Sequence, residues 1–281
     1  MLFEKANGIL DLREREAYQA AHLQGSTWLE LALLPESLNA LPASPAILYL
    51  VGSKEQIEEA SLLLDSKGYQ VNGSLAIDSP ASMQQWSEQL PGKVISGKDS
   101  KTLWQACPLV QSLMDSIKMN KIVLPCSNER PTVLDVGCGG GRDAIFMAKQ
   151  KMNVIAIDHE AKVLKRAKSL ANMSGAQIKF KCCDIKKTGC LPAQTFDLIT
   201  MVRFLNRDLF DYIKGSLKPG GVVLIETFVD GVEKLGNPKN PQFILNKGEL
   251  AEVFADFTIF VDKIAKLPDG RPVNSFIAQK T

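Results

Sequence analysis

The sequence predicts an α/β protein whose chemistry sits at the ends of parallel strands, and three observations carry that prediction. Residues 133–143, Val-Leu-Asp-Val-Gly-Cys-Gly-Gly-Gly-Arg-Asp, are an apolar strand that enters a glycine-dense turn and opens a helix. A second strand over residues 153–158 ends on Asp158 after a helix over 143–151, which makes a βαβ unit. A third over 176–183 runs into Asp184, and a fourth over 196–202 follows at the same kind of interval. Four strand ends therefore meet on one edge of a sheet.

The glycine turn defines the ligand class. Glycines at 137, 139, 140 and 141 allow positive φ and let backbone N–H groups approach a ligand where a Cβ would collide. No Gly-Lys-Ser/Thr ending follows, so a triphosphate loop is excluded, and the spacing is not that of a dinucleotide pyrophosphate turn. Asp135, two residues ahead of the first glycine, would repel a pyrophosphate and suits a cationic ligand. The lack of a Ser/Tyr/Lys hydride-transfer set also argues against a nicotinamide-dependent dehydrogenase.

In this order the segments resemble the class I S-adenosylmethionine-dependent methyltransferases, over residues 121–281. Residues 133–142 are similar to that family's first motif, Ile157-Asp158 to its ribose-binding acid and Cys183-Asp184-Ile185 to its adenine-flanking motif. Residues 196–199 and 217–226 are similar to its fourth and fifth strands. The resemblance implies a Rossmann-like seven-stranded sheet with a C-terminal antiparallel hairpin, and S-adenosyl-L-methionine as cofactor. It implies a cofactor-binding set of Asp135, Gly137, Cys138, Gly139, Gly141, Asp158, His159, Cys183, Asp184, Ile185 and Met201. In that set the backbone of residues 137–141 cradles the methionine part, Asp158 accepts from the ribose hydroxyls and Asp184 meets the adenine amino group. Asp135 lies near the cationic methionine end. The hairpin is also legible directly, as apolar runs over 257–262 and 273–279 around a Pro-Asp-Gly turn.

Composition bounds the partners. Lys plus Arg number 33 against 31 Asp plus Glu, so bulk charge selects no nucleic acid. No apolar run reaches membrane-spanning length and the start lacks a signal-sequence pattern, so a cytoplasmic location is expected. The six cysteines form no C-x-x-C pair and only two histidines are present, which predicts no metal site and reduced, structural thiols. Cys138 and Cys183 are read as small packing residues within cofactor-facing motifs.

Ahead of this region, Asp11, Arg13, Glu16, Tyr18, His22 and Gly25 resemble the opening of a rhodanese-like domain, and residues 46–69 are similar to its next strand, loop, helix and Gly-aromatic ending. Active members carry a cysteine just after the second strand, because a thiolate accepts the sulfane sulfur. Here Leu50 or Val51 takes that position and no cysteine precedes Cys107. The resemblance therefore implies an α/β domain inactive as a sulfurtransferase, with Asp11, Arg13 and His22 fixing turns. The expected organisation is a rhodanese-like domain over 1–92, a linker and capping helix over 93–128, and a methyltransferase domain over 129–281.

The expected function is methyl transfer to a small-molecule acceptor, with a thiol or a chalcogen oxyanion as candidates. The alternative is a cofactor-binding regulatory or scaffold protein that recruits a protein partner through its first domain. Arg203, after the fourth strand, is the candidate substrate-orienting residue, and it and residues 226–228 resemble the corresponding parts of tellurite-resistance-type methyltransferases. The irregular segment 229–245, with Lys234, Lys239, Asn240 and Phe243, is expected to be a lid or binding loop. No general base is evident from the sequence.

Overall fold

A computed structural model describes residues 5–126 and 130–281, so the expected domain start at residue 129 lies outside the described residues. The chain divides into two compact units, Met1–Gln105 and Ala106–Thr281. No helix among the described residues is long and apolar enough to cross a membrane.

The first unit holds β1 (Gly8–Asp11), α1 (Arg15–Ala20), β2 (His22–Leu23), β3 (Ser26–Trp28), β4 (Ile47–Gly52), α2 (Lys54–Asp65), β5 (Gln70–Ala76), α3 (Pro80–Gln89) and β6 (Val94–Ile95). Four of the strands form a parallel sheet in the order β3-β1-β4-β5. Leu10, Leu48, Leu50 and Val51 are fully buried in it, the apolar run expected of a strand covered on both faces. β6 pairs antiparallel with β2, through His22 with Ile95 and Leu23 with Val94. That pairing draws the segment after residue 92 into the first unit, so the junction falls at 105–106 and not at 92.

Several buried polar groups of the first unit pair with one another. Arg13 forks onto the fully buried Asp11 through Nε (2.9 Å) and Nη2 (2.6 Å), and Nη2 also donates to the Ala21 carbonyl at 2.8 Å. The His22 ring stacks on Tyr18 with centroids 3.9 Å apart, and Tyr18 donates its hydroxyl to the Asp99 carbonyl at 2.6 Å. The expected loop after β4 differs from an anion-binding loop. Leu50 and Val51 lie inside the strand, and Ser53 immediately caps α2 by accepting from Gln56 N at 3.2 Å while its own N donates to Gln56 Oε1 at 2.9 Å. This capping box closes the turn in one residue and leaves no cradle.

The second unit contains α4 (Pro108–Lys118), β7 (Thr132–Val136), α5 (Arg142–Lys149), β8 (Asn153–Asp158), α6 (Ala161–Met173), β9 (Ile178–Cys182), β10 (Phe196–Val202), α7 (Phe210–Ser216), β11 (Leu217–Phe228), α8 (Glu249–Val253), β12 (Phe257–Lys266) and β13 (Pro272–Lys280). Its seven strands lie in the order β12-β13-β11-β10-β7-β8-β9. Strands β7 to β11 are parallel, while β13 runs antiparallel to β11 and β12 antiparallel to β13. Side chains alternate across the sheet. Leu134, Val136, Ile199, Met201, Val223 and Ile225 face a core shared with α7 and α8; Val133, Leu198, Val222 and Leu224 face one shared with α4 and α5. The chain order reverses between β7 and β10, which opens a crevice outside the carboxyl ends of those two strands.

Candidate functional site

The crevice is built around Asp135 on β7. The carboxylate is buried; Oδ1 accepts from Thr200 Oγ1 of β10 at 2.9 Å, and Oδ2 has no partner. Burial, helped by Asp143 and Asp158 and opposed by the Thr200 hydrogen bond, pushes its pKa up to about 7. A nearby cation would favour its ionised form.

The glycines after Asp135 have three distinct jobs. Gly137, at φ +71°, lies under Phe204, and a Cβ there would come within 2.6 Å of the Phe204 ring. Gly141, at φ +78°, caps α5 and packs on α6, where a Cβ would meet Ala167 at 2.9 Å. Gly139, at φ +51°, is different, because its Cβ position faces open space. Of these three glycines, Gly139 alone leaves the turn open at its Cβ position.

Asp158 ends β8 beside that opening. Its Oδ2 accepts from Gly139 N at 2.9 Å and its Oδ1 from Glu160 N at 3.0 Å, so the carboxylate locks the turn and keeps further lone pairs available. The His159 ring is largely solvated, with Nδ1 3.5 Å from Asp158 Oδ1. Cys138 is tied by its backbone N to the Ile157 carbonyl at 3.0 Å. Burial and the nearby Asp135 and Asp158 push its thiol well above the ordinary range, so it stays protonated.

Two expected site residues are placed otherwise. Met201 is fully buried in the core under α7, because odd-numbered positions of β10 point away from the Thr200 face. Cys183 is joined to Cys190 in a disulfide and is not a free thiol. That bridge spans a loop in which Asp184 is exposed and accepts from Lys186 N at 3.0 Å, and Ile185 packs against the core. Lys181 Nζ closes the loop on the carbonyls of Gly189 (2.8 Å) and Cys190 (2.6 Å).

A second group of side chains gathers around the expected Arg203 and Glu226, whose mutual contact no sequence pattern predicted. Glu226, near the end of β11, is buried; its Oε1 accepts from Cys107 Sγ at 3.3 Å and its Oε2 from Ser275 Oγ at 3.3 Å. Asp143, in the first turn of α5, accepts from Cys107 N at 2.6 Å, and burial raises its pKa. Burial, with Glu226 and Asp143 adding to it, pushes the Cys107 thiol up to about 12, which keeps it a donor. Arg203 lies 3.8 Å from Glu226 through Nε. Residues 107, 143, 203, 226 and 275 come from five elements.

The loop over 229–245 is irregular and held in place. Arg207 donates to the carbonyls of Gln242 (3.1 Å) and Ile244 (2.9 Å) and pairs with Glu249 at 2.6 Å, while Arg271 donates to the Asn237 carbonyl at 2.8 Å. Of the expected contact residues, Lys239 lines a cleft of about 450 Å³ with Arg207, Asp230 and Glu233, and Phe243 is half exposed.

The crevice fits the cofactor expected from the sequence: a turn open at Gly139, a carboxylate at the end of the second parallel strand, and a buried carboxyl group, Asp135, with one oxygen unpartnered. Comparison with known proteins finds a methyltransferase likeness over part of the chain. Residues 133–221 match a family model described as a methyltransferase domain. Over 96% of its length the chain is 25% identical to an uncharacterised protein of Schizosaccharomyces pombe, of which the match covers 93%. It is 35% identical over 100 residues to the ubiquinone biosynthesis O-methyltransferase of Idiomarina loihiensis, covering 34% of this chain and 41% of that enzyme. An uncharacterised methyltransferase of Mycobacterium bovis is 35% identical over 102 residues, covering 34% and 50% of the two chains. The crystal structure of TehB from Haemophilus influenzae superposes with a TM-score of 0.49 at 20% identity, over 61% of this chain and 62% of that one.

Proposed function

From the premise that this chain carries a class I S-adenosylmethionine-dependent methyltransferase domain, we propose that the whole protein transfers a methyl group to a small-molecule acceptor, a thiol or a chalcogen oxyanion. The observation that carries the reading is the buried Asp135 carboxylate, half unpartnered, beside the open face of Gly139.

When bound, the cofactor supplies a methyl group already activated by its sulfonium. This chain's residues then have to bind, orient and exclude water. Asp135 would offset the positive charge of the methionine end. Gly139 admits the cofactor to the turn, and Asp158, which fixes that turn, would accept from the ribose hydroxyls. Asp184 and Ile185 would flank the adenine. Arg203, more than two-fifths exposed at the end of β10, would orient the acceptor. Cys107 and Cys138 stay protonated and take no nucleophilic part.

The first unit, read as rhodanese-like without its nucleophile, would serve as a scaffold or a surface for a protein partner. The test of the enzymatic reading is production of S-adenosylhomocysteine from S-adenosylmethionine on addition of a fractionated metabolite extract. Acceptor-dependent product supports it; tight cofactor binding with no product from any fraction would overturn it.

A further inference from the structure

Resting on that reading, we infer that Glu226 is a positioning residue that holds Arg203 as the receptor for an anionic group on the acceptor. Three observations converge on this pair. The first is backbone conformation. Arg203 adopts φ +54°, a region that side chains other than glycine, asparagine and aspartate seldom occupy. It is held there by its own N–H, which donates to the Glu226 carbonyl at 2.5 Å.

The second is the side-chain contact. The Glu226 carboxylate forms an ion pair with Arg203 Nε at 3.8 Å, beyond hydrogen-bond length, so one glutamate meets both the backbone and the guanidinium of the same arginine. The other groups on that carboxylate are the neutral donors Cys107 Sγ and Ser275 Oγ. They orient it without competing for its charge.

The third is exposure. The Arg203 side chain is 45% exposed and that of Glu226 only 7%, so the carboxylate stays inside while the guanidinium reaches out. Among the described residues no hydrogen bond occupies the Arg203 terminal nitrogens. A planar fork anchored at Nε and free at its end suits bidentate recognition of a carboxylate, sulfonate or chalcogen oxyanion. Asp143 and Asp269 also lie close enough for their charges to interact with the guanidinium.

The class of acceptor that follows is a small molecule with an anionic group. The test uses the full chain loaded with S-adenosylhomocysteine and two thiol probes of similar size, 2-mercaptoethanesulfonate and the neutral 2-mercaptoethanol, titrated by calorimetry. The expected result is about tenfold tighter binding of the sulfonate, as for a charge-assisted bidentate contact. Glu226→Gln is expected to lose most of that preference with cofactor affinity unaltered. Arg203→Gly is expected to lose it entirely without a lower melting temperature, since glycine accepts positive φ at no steric cost. Equal binding of both probes by the wild type, or an undiminished preference in Glu226→Gln, would overturn the inference. Should Glu226→Gln not fold, Arg203→Gly decides alone, and a retained preference overturns it. Turnover is read separately with S-adenosylmethionine: sulfonate-selective binding with no methylated product from any thiol counts against methyl transfer and leaves the anion receptor standing.

Discussion

Asp135 is where the site is most exposed to pH. Its native pKa of about 7 lies above the ordinary 3.8, so between these values the folded protein binds a proton that the unfolded chain has released. The contribution of this group to stability is therefore greatest at the acid end of that window and falls as pH rises toward 7, by on the order of 4 kcal/mol for a shift of this size. Asp143 is raised as well and adds a slope of the same sign. Asp135→Asn is expected to flatten the pH dependence of urea denaturation between about pH 4 and 7 to the part that Asp143 contributes; an unchanged slope would contradict the buried, half-paired carboxylate. A cationic ligand favours the ionised form, so cofactor affinity should rise through pH 7 in the wild type and lose most of that rise in the variant. The glycines separate by the same kind of reasoning. Gly139→Val places methyls in the open approach and strains a positive φ, so cofactor binding should fall at least about a hundredfold by calorimetry while the fold persists, apart from a strain of about 1–2 kcal/mol. Asp158→Ala should weaken cofactor binding and also loosen the turn, because it removes the acceptor of Gly139 N.

At the scale of elements, parity along strands decided what could be read in advance. The glycine turn and the acids at 135 and 158 are local in sequence, so their convergence was legible. Met201 was not, because assigning it to the crevice requires knowing that Thr200 takes that side and sends its neighbour to the core. The same holds for Leu50 and Val51, where a reading by family spacing expected a loop and the strand runs on to Gly52. The contacts of Glu226 were not legible, because its partners arrive from the start of α4, the end of β10 and β13. No periodicity within one segment encodes such a meeting. Irregular sequence was likewise a poor guide to looseness. The loop over 229–245 has the Gly, Pro and Asn content of a lid, yet Arg207 binds two of its carbonyls and Glu249 together. Arg207→Ala should cost about 1–2 kcal/mol, the value of charge-assisted hydrogen bonds discounted for partial exposure. Limited proteolysis should then cut within 236–243; an uncut loop in the variant would show that Arg271 and the packing of Ile244 suffice.

For the molecule as a whole, the two units divide structure and chemistry unequally. The second unit has a strand-order reversal with a carboxylate crevice; the parallel sheet of the first is completed by internal pairs such as Asp11 with Arg13 and by a helix cap where a nucleophile loop would stand. A ligand that binds only the native second unit stabilises that unit by mass action, about 2.7 kcal/mol at a hundredfold excess over Kd. Amide hydrogen exchange with and without S-adenosylhomocysteine should therefore show slowed exchange along β7, β8 and the turn between 137 and 141, where the hydrogen bonds of the site are made. β1 and β4 of the first unit should exchange at unchanged rates, since their hydrogen bonds run to each other and to β3 and β5. Slowed exchange in β1 and β4 would mean that the cofactor's binding energy reaches the first unit. The first unit would then act as a coupled element of the enzyme, and the proposed scaffold role would give way to regulation.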